Sequence, residues 1–160
     1  MPRKSTKENK TAYQLSRERA GLTRESAAER MEFISAARIE KIENERSALH
    51  PEEVLAMAEA YGDPMLRNTY CTQECPIGRK YVSPLEKKPL SQITLEMCVT
   101  LSELMRDRDR LMEITVDGTI TQDEEHDFQS IRENLDRMRS AIESLKLWVD
   151  EAMSRERSDL

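Results

Sequence analysis

The chain of 160 residues is 35 % charged and 4 % aromatic, has 4 glycines and carries a net charge of -6, a composition without the β-branched runs and turn punctuation of a sheet protein, so an all-α fold is expected. That length allows one ordinary domain, or a compact domain of about 60 to 80 residues with an appended element. No apolar run approaches the roughly 20 residues that cross a bilayer, and the polar stretch Met1 to Lys10 does not lead into the apolar segment of an export signal; a cytoplasmic protein that does not engage membranes is expected.

The charge is unevenly placed. Residues 1–50 hold 11 Lys/Arg against 8 Asp/Glu, residues 51–89 hold 5 against 6, and residues 90–160 hold 9 against 17, giving +3, -1 and -8. Lys and Arg attract nucleic acid by displacing counterions from phosphates, so a nucleic-acid surface belongs in the first fifty residues and the acidic end should face elsewhere. Cys71, Cys75 and Cys98 are an odd number with no export signal, which favours reduced thiols over disulfides.

In chain order, residues 1–10 contain Arg3, Lys4, Lys7 and Lys10 and read as a basic N-terminal arm. Ala12, Leu15 and Arg19 share one face of a first helix that Gly21 can end. Thr23 caps a second helix, in which Ala27 and Ala28 permit close approach. After Met31 to Ile34, Ser35 caps a third helix that turns Ile39 and Ile42 inward. Pro51, with Glu52 and Glu53 behind it, starts a fourth helix with Val54, Leu55, Met57, Ala58 and Tyr61 as its apolar stripe, stopped by Gly62. Asp63-Pro64 restarts a fifth through Met65, Leu66 and Tyr70, which ends before Pro76-Ile77-Gly78. Residues 11–78 thus form one helical domain, and residues 79–89 a linker.

Residues 90–160 are dominated by two heptad patterns. Leu90, Ile93, Met97, Leu101, Leu104 and Leu111 step by three and four, interrupted by Arg108, and Phe128, Ile131, Leu135, Met138, Ile142, Leu145, Val149 and Met153 repeat this. Val116 to Ile120 is the turn between them, and Thr121 with Glu124 makes a capping box. A long antiparallel, coiled-coil-like helical hairpin is expected. Leu95, Val99, Met105 and Trp148 fall beside the seam, so the apolar stripe is wider than one hairpin needs and implies a partner. A second copy is the simplest, through Leu101, Leu104, Leu111, Leu135, Met138, Ile142, Leu145 and Trp148; a small effector between the helices is the competing use.

The stretch LSRERAGLTRESAAER followed by ISAARIEKIENERSALHPEEVLAMAEAYG resembles the five-helix DNA-binding domain of the Cro/repressor (XRE) family of transcriptional regulators. Its most specific part is Ser35 to Arg46, with Ile39, Ile42, Glu43 and Asn44 spaced as in the family's recognition helix. The resemblance implies double-stranded DNA as partner, with the third helix in the major groove. It places Ala36, Ala37, Glu40 and Lys41 at base edges and Arg24, Arg38, Asn44 and Arg46 on phosphates. Three departures stand out: two alanines at base-facing positions, a turn from Met31 to Ile34 one residue longer than usual and lacking the family's glycine, and Glu45 where the family often has Gly.

The implied function is sequence-specific regulation of transcription by a homodimer on a palindromic operator. The alternative is an antitoxin-like or adaptor protein whose C-terminal hairpin binds a protein partner, with DNA binding secondary. No Gly-rich phosphate loop, nucleophile elbow or paired-His metal motif occurs, so no catalytic residue and no cofactor are expected. Cys71 and Cys75, four apart, have the spacing of two metal ligands on a helix but lack the rest of a site. They read as small apolar residues at the domain's edge, with no metal bound. His50 reads as a cap or surface residue, and His126 as part of a solvated acidic turn.

Overall fold

A computed structural model describes residues 10–115, 122 and 124–158, with side chains to 154. The basic arm apart from Lys10, the turn at Val116 to Ile120 and the Thr121 cap lie outside the described residues. Among the described residues the fold is all-helical, a group of short helices followed by a long helix pair. The described helices are α1 (Ala12–Arg19), α2 (Arg24–Met31), α3 (Ala36–Glu43), α4 (Pro51–Tyr61), α5 (Met65–Gln73), α6 (Gly78–Tyr81), α7 (Leu90–Thr115) and α8 (Glu125–Ser158). They belong to two compact units, Met1–Pro84 with Asp150–Leu160, and Leu85–Val149.

Capping chemistry sets the helix starts in the first unit. The Gln14 N–H donates to Thr11 Oγ1 at 3.2 Å, the Arg38 N–H to Ser35 Oγ at 3.2 Å, and Thr23 and Ser26 cap each other, backbone N–H to side-chain oxygen, at 3.1 and 2.9 Å. Each bond satisfies an N–H that a helix start would otherwise orphan. His50 is the N-cap of α4, where its N–H donates to Glu53 Oε2 at 2.9 Å and Pro51 follows at the first turn. Gly62, at φ 62°, ends α4 in the left-handed conformation. Gly78 has a different role: a Cβ there would stand 2.1 Å from the Cys71 carbonyl oxygen, so only glycine lets α6 close against α5.

These helices converge on one apolar cluster, with Ala27, Met31, Ile34, Ile39, Ile42, Leu49, Val54, Met57, Tyr61 and Leu66 among its members. The inward faces of α3 and α4 are those the periodicity predicts, except that Leu55 is exposed. The expected face of α1 is not the buried one. Leu15 is 45 % exposed and Arg19 is exposed, while Tyr13, Gln14, Ser16 and Arg17 are buried. Polar partners cause the rotation: Ser16 Oγ donates to Asp63 Oδ2 at 2.7 Å and Arg17 meets Glu43, so α1 buries a polar edge at no cost in unpaired groups. Cys75 lies past the end of α5, so it and Cys71 do not share a helical face; both are half-buried free thiols.

Glu45 has φ 55°, a conformation costing a residue with a Cβ about 1–2 kcal/mol. It occupies a position suited to glycine. Glu45→Gly is expected to stabilise the first unit by about 0.5–1 kcal/mol once glycine's greater unfolded-state entropy is deducted, read as a higher urea midpoint.

In the second unit α7 and α8 run antiparallel. Thr100 Oγ1 lies 3.7 Å from Met138 Sδ, Arg110 Nε donates to Asp127 Oδ2 at 2.6 Å, Arg137 pairs with Glu103 at 3.3 Å, and Asn134 Nδ2 donates to Asp107. The buried positions are Ile93, Thr100 and Ile114 on α7, and Ile131, Asn134, Met138, Ala141, Ser144 and Leu147 on α8. The sequence pattern expects each helix to turn its whole heptad pattern into the seam. On α7 Ile93 is buried and Met97, Leu104 and Leu111 are half-buried, but Leu90 and Leu101 are exposed; on α8 alternate members turn inward. Ile131, Met138 and Leu145 turn inward, while Phe128, Leu135, Ile142 and Val149, seven residues apart, are 36, 51, 42 and 41 % exposed.

Candidate nucleic-acid interface

Helix α3 has two chemically distinct sides. Ile39 and Ile42 are fixed in the apolar cluster, and Glu43, 1 % exposed, is held beneath the helix by two arginines. Arg17 Nε and Nη2 reach Glu43 Oε1 and Oε2 at 2.5 and 3.0 Å, and Arg24 Nε reaches Oε2 at 2.9 Å. A planar guanidinium matched to both carboxylate oxygens is the strongest geometry for such a pair. Arg17 Nη1 also donates to the Leu22 carbonyl at 2.7 Å, so the cluster fastens α1, the α1–α2 turn, α2 and α3 together. It sets the angle at which the outer side of α3 is presented.

On that outer side Ala37, Glu40 and Lys41 are exposed and Ala36 is half-buried. The four residues expected at base edges therefore occupy one surface of one helix. The four expected on phosphates divide into two kinds. Lys41 from the first set and Arg46 from the second are exposed and in no ion pair among the described residues, and Asn44 is the half-buried C-cap of α3. Arg24 and Arg38 are instead engaged within the domain. Arg24 binds Glu43 and stands 3.8 Å from Glu40. Arg38 donates to Glu53 Oε1 and Oε2 at 2.6 and 2.7 Å, to the Ala48 carbonyl at 2.7 Å and to Ser47 Oγ. Its guanidinium ties the start of α3 to the start of α4.

The hydrogen bond from Arg38, against the opposing effect of partial burial and with help from the His50 N–H, holds the Glu53 carboxyl below its ordinary range. A carboxylate depressed in the folded state adds stability above its unfolded value, about 4.3, which is lost as pH falls through the folded value. Glu53→Gln is expected to cost about 1–3 kcal/mol at pH 7. The cost shrinks as pH falls through the folded value, because Glu53 then becomes neutral as Gln is; urea midpoints at pH 7 and at successively lower pH check this.

The turn between α2 and α3 holds the feature that sequence reasoning missed. Glu32 has φ 53° and ψ -48°, and the Phe33 N–H donates to the Met31 carbonyl at 2.5 Å. This is a γ-turn of the rare, strained kind. Phe33, two residues before the Ser35 cap of α3, is left 65 % exposed. The absence of glycine at 32 was the available signal. The Arg17–Glu43 pair was also missed, because nothing in local periodicity links positions 26 residues apart.

Of the residues expected at a subunit contact, Met138 is buried, Leu104, Leu111 and Leu145 are half-buried, and Leu101, Leu135, Ile142 and Trp148 are exposed. Among the described residues no helix is long and apolar enough to cross a membrane. No curated protein and no solved structure shows a significant match to the chain. Residues 14–64, from α1 to the turn before α5, match the family model of a helix-turn-helix domain, the kind of domain that DNA-binding regulators carry.

Proposed function

We propose that the chain is a sequence-specific DNA-binding regulator of transcription of the Cro/repressor (XRE) type, binding a palindromic operator as a homodimer and carrying out no catalysis. The observation that carries this reading is the exposed outer side of α3, backed by the buried Glu43 cluster, inside the segment that matches a helix-turn-helix domain. The major groove, about 12 Å wide, admits one helix, and α3 is a helix of the domain whose outer side is left free. Residues 11–78 are the reading head, residues 79–89 the linker and residues 90–160 the dimerisation element.

Lys41 and Arg46, which among the described residues are in no ion pair, separate the roles. With Ala36 and Ala37 unable to donate, Lys41 is the main polar base contact, and Arg46 lies on the backbone. Lys41→Ala is expected to relax base preference at one or two positions, and Arg46→Ala to weaken all duplexes about equally, with roughly one unit less of salt slope. Titrations of duplexes selected from a random pool measure both. Equal, sequence-independent losses for the two variants, or none, contradict the assignment.

The exposed string of α8 supports the dimer. Leu135 and Ile142 follow the buried Asn134 and Ala141, and Leu101, Met105 and Met112 are turned in the same sense away from the α7 seam. Equal senses of rotation on two antiparallel helices fall on the same side of the pair. With Phe128 and Val149 these side chains, 36 to 68 % exposed, offer on the order of 500 Å² per copy, at the upper end of a monomer's largest patch and approaching the ~800 Å² per partner of a stable interface. The same surface on an acidic element supports the second reading, an antitoxin-like or adaptor protein with a protein partner at the hairpin. A monomer at micromolar concentration favours that reading, and a concentration-independent dimer the first.

A further inference from the structure

We propose that Phe33 is a specificity residue, and that with Ala36 and Ala37 it makes the leading end of α3 an apolar probe for thymine methyl groups. This rests on the reading of the first unit as a duplex-binding domain and goes on to name what it reads. Phe33 is 65 % exposed, whereas the large apolar side chains of α1 to α4 other than Leu15 and Leu55, 45 and 58 % exposed, are buried. An aromatic ring left in water forgoes the favourable burial that drives folding, about 1.5–3 kcal/mol. The γ-turn at Glu32 holds it there in a strained backbone, and such strain persists where the surroundings enforce it and concentrates at functional sites.

The start of α3 has the same chemistry as Phe33. Ala36 and Ala37, the first two residues of the helix, end in methyl groups. Arg38, the next side chain able to donate, is committed to Glu53, Ser47 and Ala48. Apart from the Ser35 hydroxyl, which caps the helix by accepting the Arg38 N–H at 3.2 Å, the side chains exposed from Phe33 to Ala37 therefore offer carbon to a ligand, and exposed charged groups return one turn later at Glu40 and Lys41. In the major groove the 5-methyl of thymine is the apolar mark among hydrogen-bonding edges, and Ala and Phe are side chains that contact it. The recognised chemistry is accordingly a thymine-containing duplex half-site.

The test uses the full chain and a duplex that it selects from a random pool. The duplex is prepared with thymine or with deoxyuridine, which removes the methyl and keeps every hydrogen-bonding group, and titrated at one salt concentration with the unaltered chain and with Phe33→Ala. The unaltered chain is expected to bind the uracil duplex roughly tenfold more weakly, and Phe33→Ala to lose affinity for the thymine duplex while its thymine preference falls to about two- or threefold, left by the alanines. Helical signal and urea midpoint within about 0.5 kcal/mol of the parent confirm that the exposed substitution leaves the fold intact. Equal binding of both duplexes by the unaltered chain, a selected sequence without thymine, or an undiminished preference in Phe33→Ala overturns the proposal and leaves duplex binding standing. Binding to no duplex overturns this proposal and the proposed function together.

Discussion

Glu43→Ala is expected to destabilise the first unit by about 3–5 kcal/mol, a large part of the stability of so small a domain. The loss comes less from the missing attraction than from what remains: Arg17, 7 % exposed, keeps a buried positive charge with the Leu22 carbonyl as its remaining buried partner. Arg24 loses its 2.9 Å contact in the same step. Burying one unpaired ion costs several kcal/mol even after relaxation, whereas an ion pair replaced as a whole by apolar groups of similar volume is often neutral. The double substitution Arg17→Met with Glu43→Leu should therefore recover most of what Glu43→Ala loses. Urea unfolding followed by the helical signal checks both, with exposed Glu40→Ala as a reference expected within about ±0.5 kcal/mol. If Glu43→Ala matched that reference, the cluster would not be what fixes α3.

The second large effect concerns the hairpin. Leu135→Glu combined with Ile142→Glu places two carboxylates in each copy on the exposed string of α8. In a two-fold contact each patch meets itself, so four charges would be desolvated without partners. The dimer is expected to weaken by more than about a thousandfold, seen as monomer by sedimentation at micromolar concentration. Both positions are already exposed in the described helix pair, so helicity should persist. Operator binding should fall with the dimer, because joining two heads raises apparent affinity by about 10² to 10⁴ through effective concentration alone. Dimers of undiminished strength would place the subunit contact elsewhere.

Much of the first unit was legible in the sequence because its signals are local. Thr23, Ser35, Pro51 and Gly62 mark helix ends within one turn of where they act, and Ile39 and Ile42 give the phase of α3. What the sequence hid depends on pairs distant along the chain. Arg38 and Arg17 are fastened to carboxylates 15 and 26 residues away, Glu53 and Glu43, which no local pattern pairs with them. The hairpin shows a different limit. Two adjacent heptad strings define an apolar stripe, but periodicity alone does not say which string faces within the chain. Thr100, Asn134, Ala141 and Ser144 decide it, since small or mutually satisfied polar residues let α7 and α8 pack there and leave Leu135 and Ile142 outside. At the turn, the missing glycine was readable, whereas the γ-turn that absorbs Glu32 and turns Phe33 outward was not.

The most direct test of the central claim is a titration of the full chain, at two salt concentrations, with a duplex it selects and with a scrambled duplex of the same composition. Two chains per selected duplex, a preference of about 10³-fold or more over the scrambled one, and affinity that falls steeply as salt rises are expected. Binding that is insensitive to salt and indifferent to sequence, or no binding at all, would contradict that claim.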